Sequence, residues 1–151
     1  MDGVDKKKKK NTKDMEIILT GDTFPMDWDS FLDEDIRKFF NEIFEETGLK
    51  KSDVIRKANI DRTYGYQIMD GTRLGKRDYY LRIALAMSLN LSLTRRMLAE
   101  THCEALHPLI KRDAAVIFAI NHKYDNDKTY AFMEELDLLP LETGLEKNGN
   151  G

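Results

Sequence analysis

Residues 51–71 have the sequence KSDVIRKANIDRTYGYQIMDG, and their pattern is the strongest structural signal in the chain. The apolar residues of this stretch recur at three- and four-residue spacing on both sides of a short polar break, which predicts one helix over 51–58 and another over 62–70. Asp61 is a good N-cap for the second helix, and Gly71 suits its end. The stretch therefore predicts two short helices that are joined by a tight turn and cross at a steep angle.

Helical periodicity continues on both sides of this stretch. Upstream, a helix is expected to begin at Asp33 and to end at Gly48, with an apolar stripe made of Ile36, Phe39, Phe40, Ile43 and Phe44. Downstream, a fourth helix is expected to begin at Asp78, and a fifth near Ser92, which is a plausible N-cap. Five helices would then complete one unit.

An internal repeat covers the C-terminal half. A shift of 35 residues aligns Lys76-Arg77-Asp78 with Lys111-Arg112-Asp113, and 6 of the 25 positions in 76–100 are identical. We expect the aspartates of the two triplets to cap the fourth and sixth helices. The pattern predicts two copies of one helical hairpin that pack together in a single bundle.

The predicted fold class is all-α, and the chain divides into four segments by composition and periodicity. Residues 1–32 are expected to form a disordered or loosely docked arm. Within it, the apolar stretch Met15–Leu19 is compatible with either a strand or a docked segment. Trp28, Phe31 and Leu32 are expected to tuck against the core. The remaining segments are a five-helix domain over 33–101, a helical hairpin over 102–141 that repeats 76–109, and a disordered tail over 142–151.

Charge is distributed unevenly along the chain. The formal net charge is −3, yet residues 50–82 carry 9 Lys/Arg against 4 Asp/Glu. Residues 1–49 carry 8 Lys/Arg against 13 Asp/Glu, and residues 83–151 carry 7 Lys/Arg against 10 Asp/Glu. The basic excess therefore falls on the segment that contains the two crossed helices, where it could serve as a local footprint for a polyanion.

Membrane, secreted and enzyme classes are disfavoured. No apolar run is long enough to cross a bilayer, and the N-terminal lysine run is not followed by a signal-like apolar stretch, so a cytoplasmic location is expected. The single cysteine, Cys103, fits a reducing compartment. His102, Cys103 and His107 lack the further partners of a zinc site, and no phosphate-binding glycine pattern occurs. We therefore expect no catalytic residues, no metal and no cofactor.

Residues 51–90 resemble, without gaps, the phage-repressor-like (Xre-type) helix-turn-helix family. The match rests on Arg62-Thr63 after the turn, Gln67-Ile68, Gly71 before a basic loop, and Ile83-Ala84 in the next helix. The resemblance implies a lambda-repressor-like five-helix domain that inserts helix 62–69 into the major groove of double-stranded DNA.

The resemblance also assigns the candidate contacts. The positions that touch base edges in that family are held here by Arg62, Thr63, Tyr64 and Gln67. Phosphate-contacting positions match Lys51, Ser52 and Arg73, and the basic flank adds Lys50, Lys76 and Arg77. Arg reads guanine and Gln reads adenine, while Lys and Arg neutralise phosphates.

Two positions depart from the family pattern. The family usually has a small residue where this chain has Ile55 and a branched apolar residue where it has Gly65. These positions are expected to face each other, so the two changes together conserve volume. Asn59 replaces the usual turn glycine and is the least costly substitute.

The sequence thus predicts a sequence-specific DNA-binding protein, a bacterial or phage-type transcriptional regulator. The C-terminal half resembles the extension of small bacterial regulators of this type, and a homodimer through the C-terminal helices is one expected use of it. The alternative is a protein-interaction adaptor or antitoxin-like partner in which the helix-turn-helix is vestigial.

Overall fold

The structure is a computed structural model that describes residues 12–24 and 34–144 of the 151-residue chain. All regular elements within those ranges are helical, so the all-α prediction is confirmed for them. The helices are α1 (Thr12–Ile18), α2 (Glu34–Thr47), α3 (Lys51–Ala58), α4 (Arg62–Asp70), α5 (Arg77–Ala86), α6 (Leu91–Glu100), α7 (Lys111–Asn121) and α8 (Asn126–Glu135). Among these helices none has the length and apolar surface that a bilayer span requires.

Helix α2 packs through the apolar stripe that the sequence predicts. Its five stripe residues are all buried, and Phe40 stacks on Tyr80 of α5 with ring centroids 6.2 Å apart. Gly48 closes the helix with φ 72°, and its N–H donates to the carbonyl of Phe44. A left-handed residue at this point is the usual way to end a helix, and glycine adopts it without steric cost.

The α3–α4 pair forms between the bounds that the sequence predicts. Asn59 ends α3 in the left-handed conformation, with φ 59° and ψ 51°. The Asp61 carboxylate accepts a hydrogen bond from the N–H of Tyr64 at 3.0 Å, and Gly71 ends α4 with φ 82°. Local capping chemistry therefore fixes both ends of α4 and the turn before it.

Helix α5 is the centre of the fold. Residues 79–85 are all buried, and the helix contacts α3, α6 and α8. The guanidinium of Arg82 donates to the Ala58 carbonyl at 2.6 Å and to the Leu141 carbonyl at 3.3 Å. This buried arginine therefore joins the C-terminal end of α3 to the loop after α8. At the end of α3 it satisfies a carbonyl that the helix itself leaves without a partner.

The two repeats have matching backbone features 35 residues apart. Ser88 and Lys123 are both left-handed, with φ 54° and φ 58°, and His102 and Asp137 repeat the pattern at 64° and 65°. The second helices of the repeats also begin alike, with N-caps at Asn90 and Asp125. The expectation that Ser92 caps this helix is wrong. The cap is Asn90, two residues before Ser92, and its side chain accepts the N–H of Leu93.

Reciprocal ion pairs join the two repeats. Arg77 binds Asp113 with N–O distances of 2.7 and 3.3 Å, and Arg112 binds Asp78 with distances of 2.9 and 3.3 Å. Because each repeat gives its arginine to the other repeat's aspartate, the two are related by an approximate two-fold axis. The prediction that these aspartates cap their own helices is wrong, since α5 and α7 begin without a side-chain cap.

The loops after each repeat complete this arrangement. Arg77 donates to the carbonyls of residues 104 and 105, and Arg112 donates to those of residues 139 and 140. Asp113 accepts the N–H of residue 107, and Asp78 accepts the N–H of residue 142. Hydrogen bonds and the apolar core both run across the boundary expected at residues 101 and 102.

The N-terminal arm contains a helix. Residues 12–18 form α1, so disorder at residues 12–14 and a strand at Met15–Leu19 are wrong, and the docked segment stays a prediction. Helix-favouring Lys, Met and Glu residues, with Asp14 in the first turn, explain this outcome. The expectations for residues 1–11, for Asp33 and the apolar lead-in at 25–32, and for the tail after residue 144 lie outside the described residues.

Candidate nucleic-acid interface

The first turn of α4 presents polar side chains to solvent. Arg62 and Thr63 are exposed, whereas Gly65, Ile68 and Met69 on the other side of the helix are buried. The helix is therefore anchored along one face and shows a polar N-terminal turn on the other. The partial positive charge of this helix N-terminus is met in part by the Asp61 carboxylate, which caps it, so the basic side chains carry most of the attraction for an anionic partner.

A shallow groove of about 420 Å³ lies between this turn and α3, and its polar lining consists of Ser52, Asp53, Arg56, Asn59 and Arg62. The Arg62 guanidinium carbon lies 5.8 Å from the centroid of the Tyr66 ring, within the range of a cation–π contact. The Arg56 side chain is 69% exposed and pairs with Asp53 at 2.9 Å. Two arginines therefore border one groove.

Basic side chains border the same face. Lys50 and Arg73 are exposed, and the Arg73 guanidinium lies 5.9 Å from the Tyr64 ring centroid. Lys51 is partly buried, with its Nζ 3.7 Å from the Asp70 carboxylate. Lys76 pairs with Glu142 at 3.2 Å. This hydrogen bond and the negative charge of Glu142 raise the pKa of Lys76. These residues are available at the surface, although Asp70 and Glu142 reduce the local positive charge.

Tyr64 and Gln67 are less accessible than the sequence suggests. The Tyr64 ring packs edge-on against Tyr79 of α5, with centroids 5.4 Å apart. Burial, followed by the neighbouring Tyr79, raises the pKa of Tyr64, while Arg73 opposes the shift. Gln67 is half-buried, and its backbone carbonyl accepts the N–H groups of residues 72 and 73. Tyr64 therefore contributes to the packing of α4 on α5, whereas the hydrogen bonds at Gln67 come from the backbone and would be made by any residue at that position.

Arg77 does not belong to this surface. Its donors bind Asp113 and the two carbonyls of the loop after α6, and its side chain is only 22% exposed. A guanidinium held by a buried carboxylate and two carbonyls has little freedom to reach a phosphate. We therefore remove Arg77 from the candidate phosphate contacts.

Sequence reasoning missed two basic residues at the end of α3. Arg56 and Lys57 are exposed in the last turn of this helix. Arg56 lies one helical turn after Ser52, a residue that the resemblance did assign, so the spacing of four residues could have identified it.

Among the described residues, the histidines and Cys103 belong to no cluster of metal-ligating side chains. Cys103 is half-buried, with its Sγ 3.5 Å from the Thr101 hydroxyl. No group of three His, Cys, Asp or Glu side chains that could hold a metal ion occurs within residues 12–24 and 34–144.

Comparison of the chain with family models, with curated proteins and with solved structures finds no match. The interpretation of this surface therefore rests on its residues and their geometry.

Proposed function

We propose that this protein binds double-stranded DNA sequence-specifically, with the first turn of α4 in the major groove. Helices α2 to α6 would then serve as a lambda-repressor-like domain, and regulation of transcription in a bacterial cytoplasm would be the biological role. The observation that carries the proposal is the exposed pair Arg62 and Thr63 on a helix whose opposite face is buried. A rigidly held helix can present such side chains to base edges without further ordering.

The contacts divide by role. Arg62 is the proposed base-reading residue, because its fork of donors matches the O6 and N7 acceptors of guanine. Thr63 lies beside it and can bond either base edges or a phosphate. The proposed phosphate contacts are Lys50, Lys51, Ser52, Arg56, Arg73 and Lys76, which surround α4 on α3 and on the loop after α4.

Binding should be read out as affinity against salt concentration, with a fluorescent duplex obtained by selection. Arg62→Ala is expected to weaken binding of the selected duplex by about 5-fold to 150-fold, because a bidentate base contact contributes about 1–3 kcal/mol. Binding of a scrambled duplex should change much less. Arg95→Ala removes an exposed arginine from α6, outside the α3–α4 pair, and is the matched control, expected to leave both affinities unchanged.

A phosphate contact should behave differently from a base contact. Lys50→Ala is expected to weaken both duplexes to a similar extent and to reduce the salt slope by about one, because each phosphate contact releases about 0.9 counterions. If neither variant changes binding to any duplex, the adaptor function with a vestigial helix-turn-helix becomes the better account.

A further inference from the structure

The outer face of α7 and α8 carries an open apolar groove of about 380 Å³, which we call the α7–α8 groove. It is lined by Lys111, Ala114, Ala115, Phe118, Phe132, Leu136 and Leu138. Phe118 and Phe132 stack with ring centroids 5.2 Å apart, yet Phe118 is 42% exposed and Leu136 is 50% exposed. Apolar surface of both helices is therefore exposed at this groove, as it is at many sites of association.

The internal repeat shows what such a face accommodates. Subtraction of 35 residues maps Phe118 onto Ile83 and Phe132 onto Met97, both of which are fully buried in the first repeat. Ala115 maps onto Tyr80, against which Phe40 of α2 stacks. Helix α2 therefore covers part of the equivalent face of the first repeat, and Tyr64 of α4 packs against Tyr79 there. None of the described helices covers the α7–α8 groove in this way.

Charges along α8 indicate which helix would fit. Lys128, Phe132, Glu135 and Leu136 follow one another at helical spacing and share a face. Lys128 and Glu135 are exposed and lie about 10 Å apart along the axis, at 1.5 Å per residue. The Lys128 Nζ lies 4.7 Å from the centroid of the Tyr124 ring, which itself packs against Phe118 and Phe132. Lys128 and Glu135 therefore flank the aromatic centre along α8, and Lys111 of α7 lines the groove together with Leu136 and Leu138.

We propose that a second copy of this chain occupies the α7–α8 groove, with the two α8 helices antiparallel about a two-fold axis. In that arrangement Lys128 of each copy faces Glu135 of the other, and the Phe118 and Phe132 rings of both copies shield one another from water. The face is complementary to itself, as an isologous interface requires. This inference does not depend on DNA binding and is tested without DNA.

The experiment is analytical ultracentrifugation of the full-length chain over about a hundredfold range of concentration, since dimerisation follows mass action. The wild-type chain should shift from monomer to dimer across this range. Phe118→Ser should raise the dissociation constant at least about tenfold. Tyr130→Ser is the matched control, because Tyr130 is an exposed aromatic residue on α8 that lies outside the groove, and it should not change the dissociation constant.

Charge reversal tests the orientation. Lys128→Glu and Glu135→Lys should each weaken the dimer. In either variant, residues 128 and 135 carry like charges and face each other at both symmetry-related contacts. The double variant should regain the wild-type dissociation constant, and circular dichroism confirms that each variant folds.

A chain that stays monomeric, a dimer that survives Phe118→Ser, or a double variant without recovery would overturn the proposal. So would a monomer in which removal of residues 1–24 shifts the NMR signals of the Phe118 ring, since α1 of the same chain would then fill the groove.

Discussion

Gly65 and Ile55 show how one contact at the residue scale fixes the α3–α4 pair. A Cβ built on Gly65 would lie 2.9 Å from Ile55 Cγ1 and 3.0 Å from Cγ2, and Ile55 is 2% exposed. These atoms are attached close to the backbone of a buried helix, so they cannot move aside. The prediction that the two residues face each other is confirmed, and the large residue on α3 accounts for the glycine on α4.

A larger residue at 65 and a smaller residue at 55 should therefore compensate for each other in stability. Gly65→Val is expected to lower the free energy of unfolding by about 1–3 kcal/mol through overpacking, and Ile55→Ala by about 2–4 kcal/mol through the cavity it leaves. The double variant should lose clearly less than the sum, as measured by urea unfolding. Gly65→Val combined with Val116→Ala, a distant core site on α7, is the control and should be additive. Additivity in the Ile55 pair would contradict this account.

At the scale of single elements, local capping chemistry explains which bounds the sequence predicted. Asp61, Asn59 and Gly71 act on their immediate neighbours, so the sequence identified both ends of α4 and the end of α3. The start of α6 was misplaced because Asn90 and Ser92 are both good N-caps, and nothing local decides between them.

The turn between α3 and α4 offers a test at this scale. Asn59→Ala should lower the free energy of unfolding by about 1 kcal/mol, because a Cβ-bearing residue without a locally bonding side chain is strained in the left-handed region. Asn59→Gly should cost less than Asn59→Ala or stabilise the protein, since glycine adopts this conformation freely. Thermal unfolding of both variants measures the order. An alanine variant as stable as the glycine variant would show that the turn is not under this constraint.

At the scale of the whole molecule, the reciprocal ion pairs explain what the sequence could not predict. Arg77 and Asp113 are 36 residues apart and meet only when the two repeats fold together. The sequence revealed the repeat but assigned Arg77 to a phosphate and the aspartates to helix caps, because those are the local uses of these residues. The burial of Tyr64 against α5 was missed for the same reason. The sequence therefore predicted the exposure of Arg62 and Thr63, but not the pairing of Arg77 or the packing of Tyr64.

These pairs predict how stability depends on pH. Burial by itself would raise the pKa of Asp113, but hydrogen bonds from Arg77 and the His107 N–H outweigh it, and the pKa is lowered. Because the folded pKa lies below the unfolded value of about 3.9, the stabilisation is present above that pH and is lost as the pH falls through the folded pKa.

Asp113→Asn should therefore lower the free energy of unfolding by about 3 kcal/mol at neutral pH, because it leaves a half-buried guanidinium without its counter-charge. The difference from wild type should shrink below about pH 4. Asp53→Asn is the control, since its exposed pair with Arg56 should contribute less than about 1 kcal/mol. Urea unfolding as a function of pH measures both variants, and a constant difference for Asp113→Asn would argue against the electrostatic explanation.

The central claim, that α4 reads DNA, is tested most directly by selection of the purified full-length protein against a random duplex library at low salt. We expect the wild-type protein to enrich one sequence family, and Arg62→Ala to lose the preference at one base pair while it still binds duplex DNA. Failure of the wild-type protein to enrich any sequence, or an Arg62→Ala variant that enriches the same motif with equal strength, would contradict the claim.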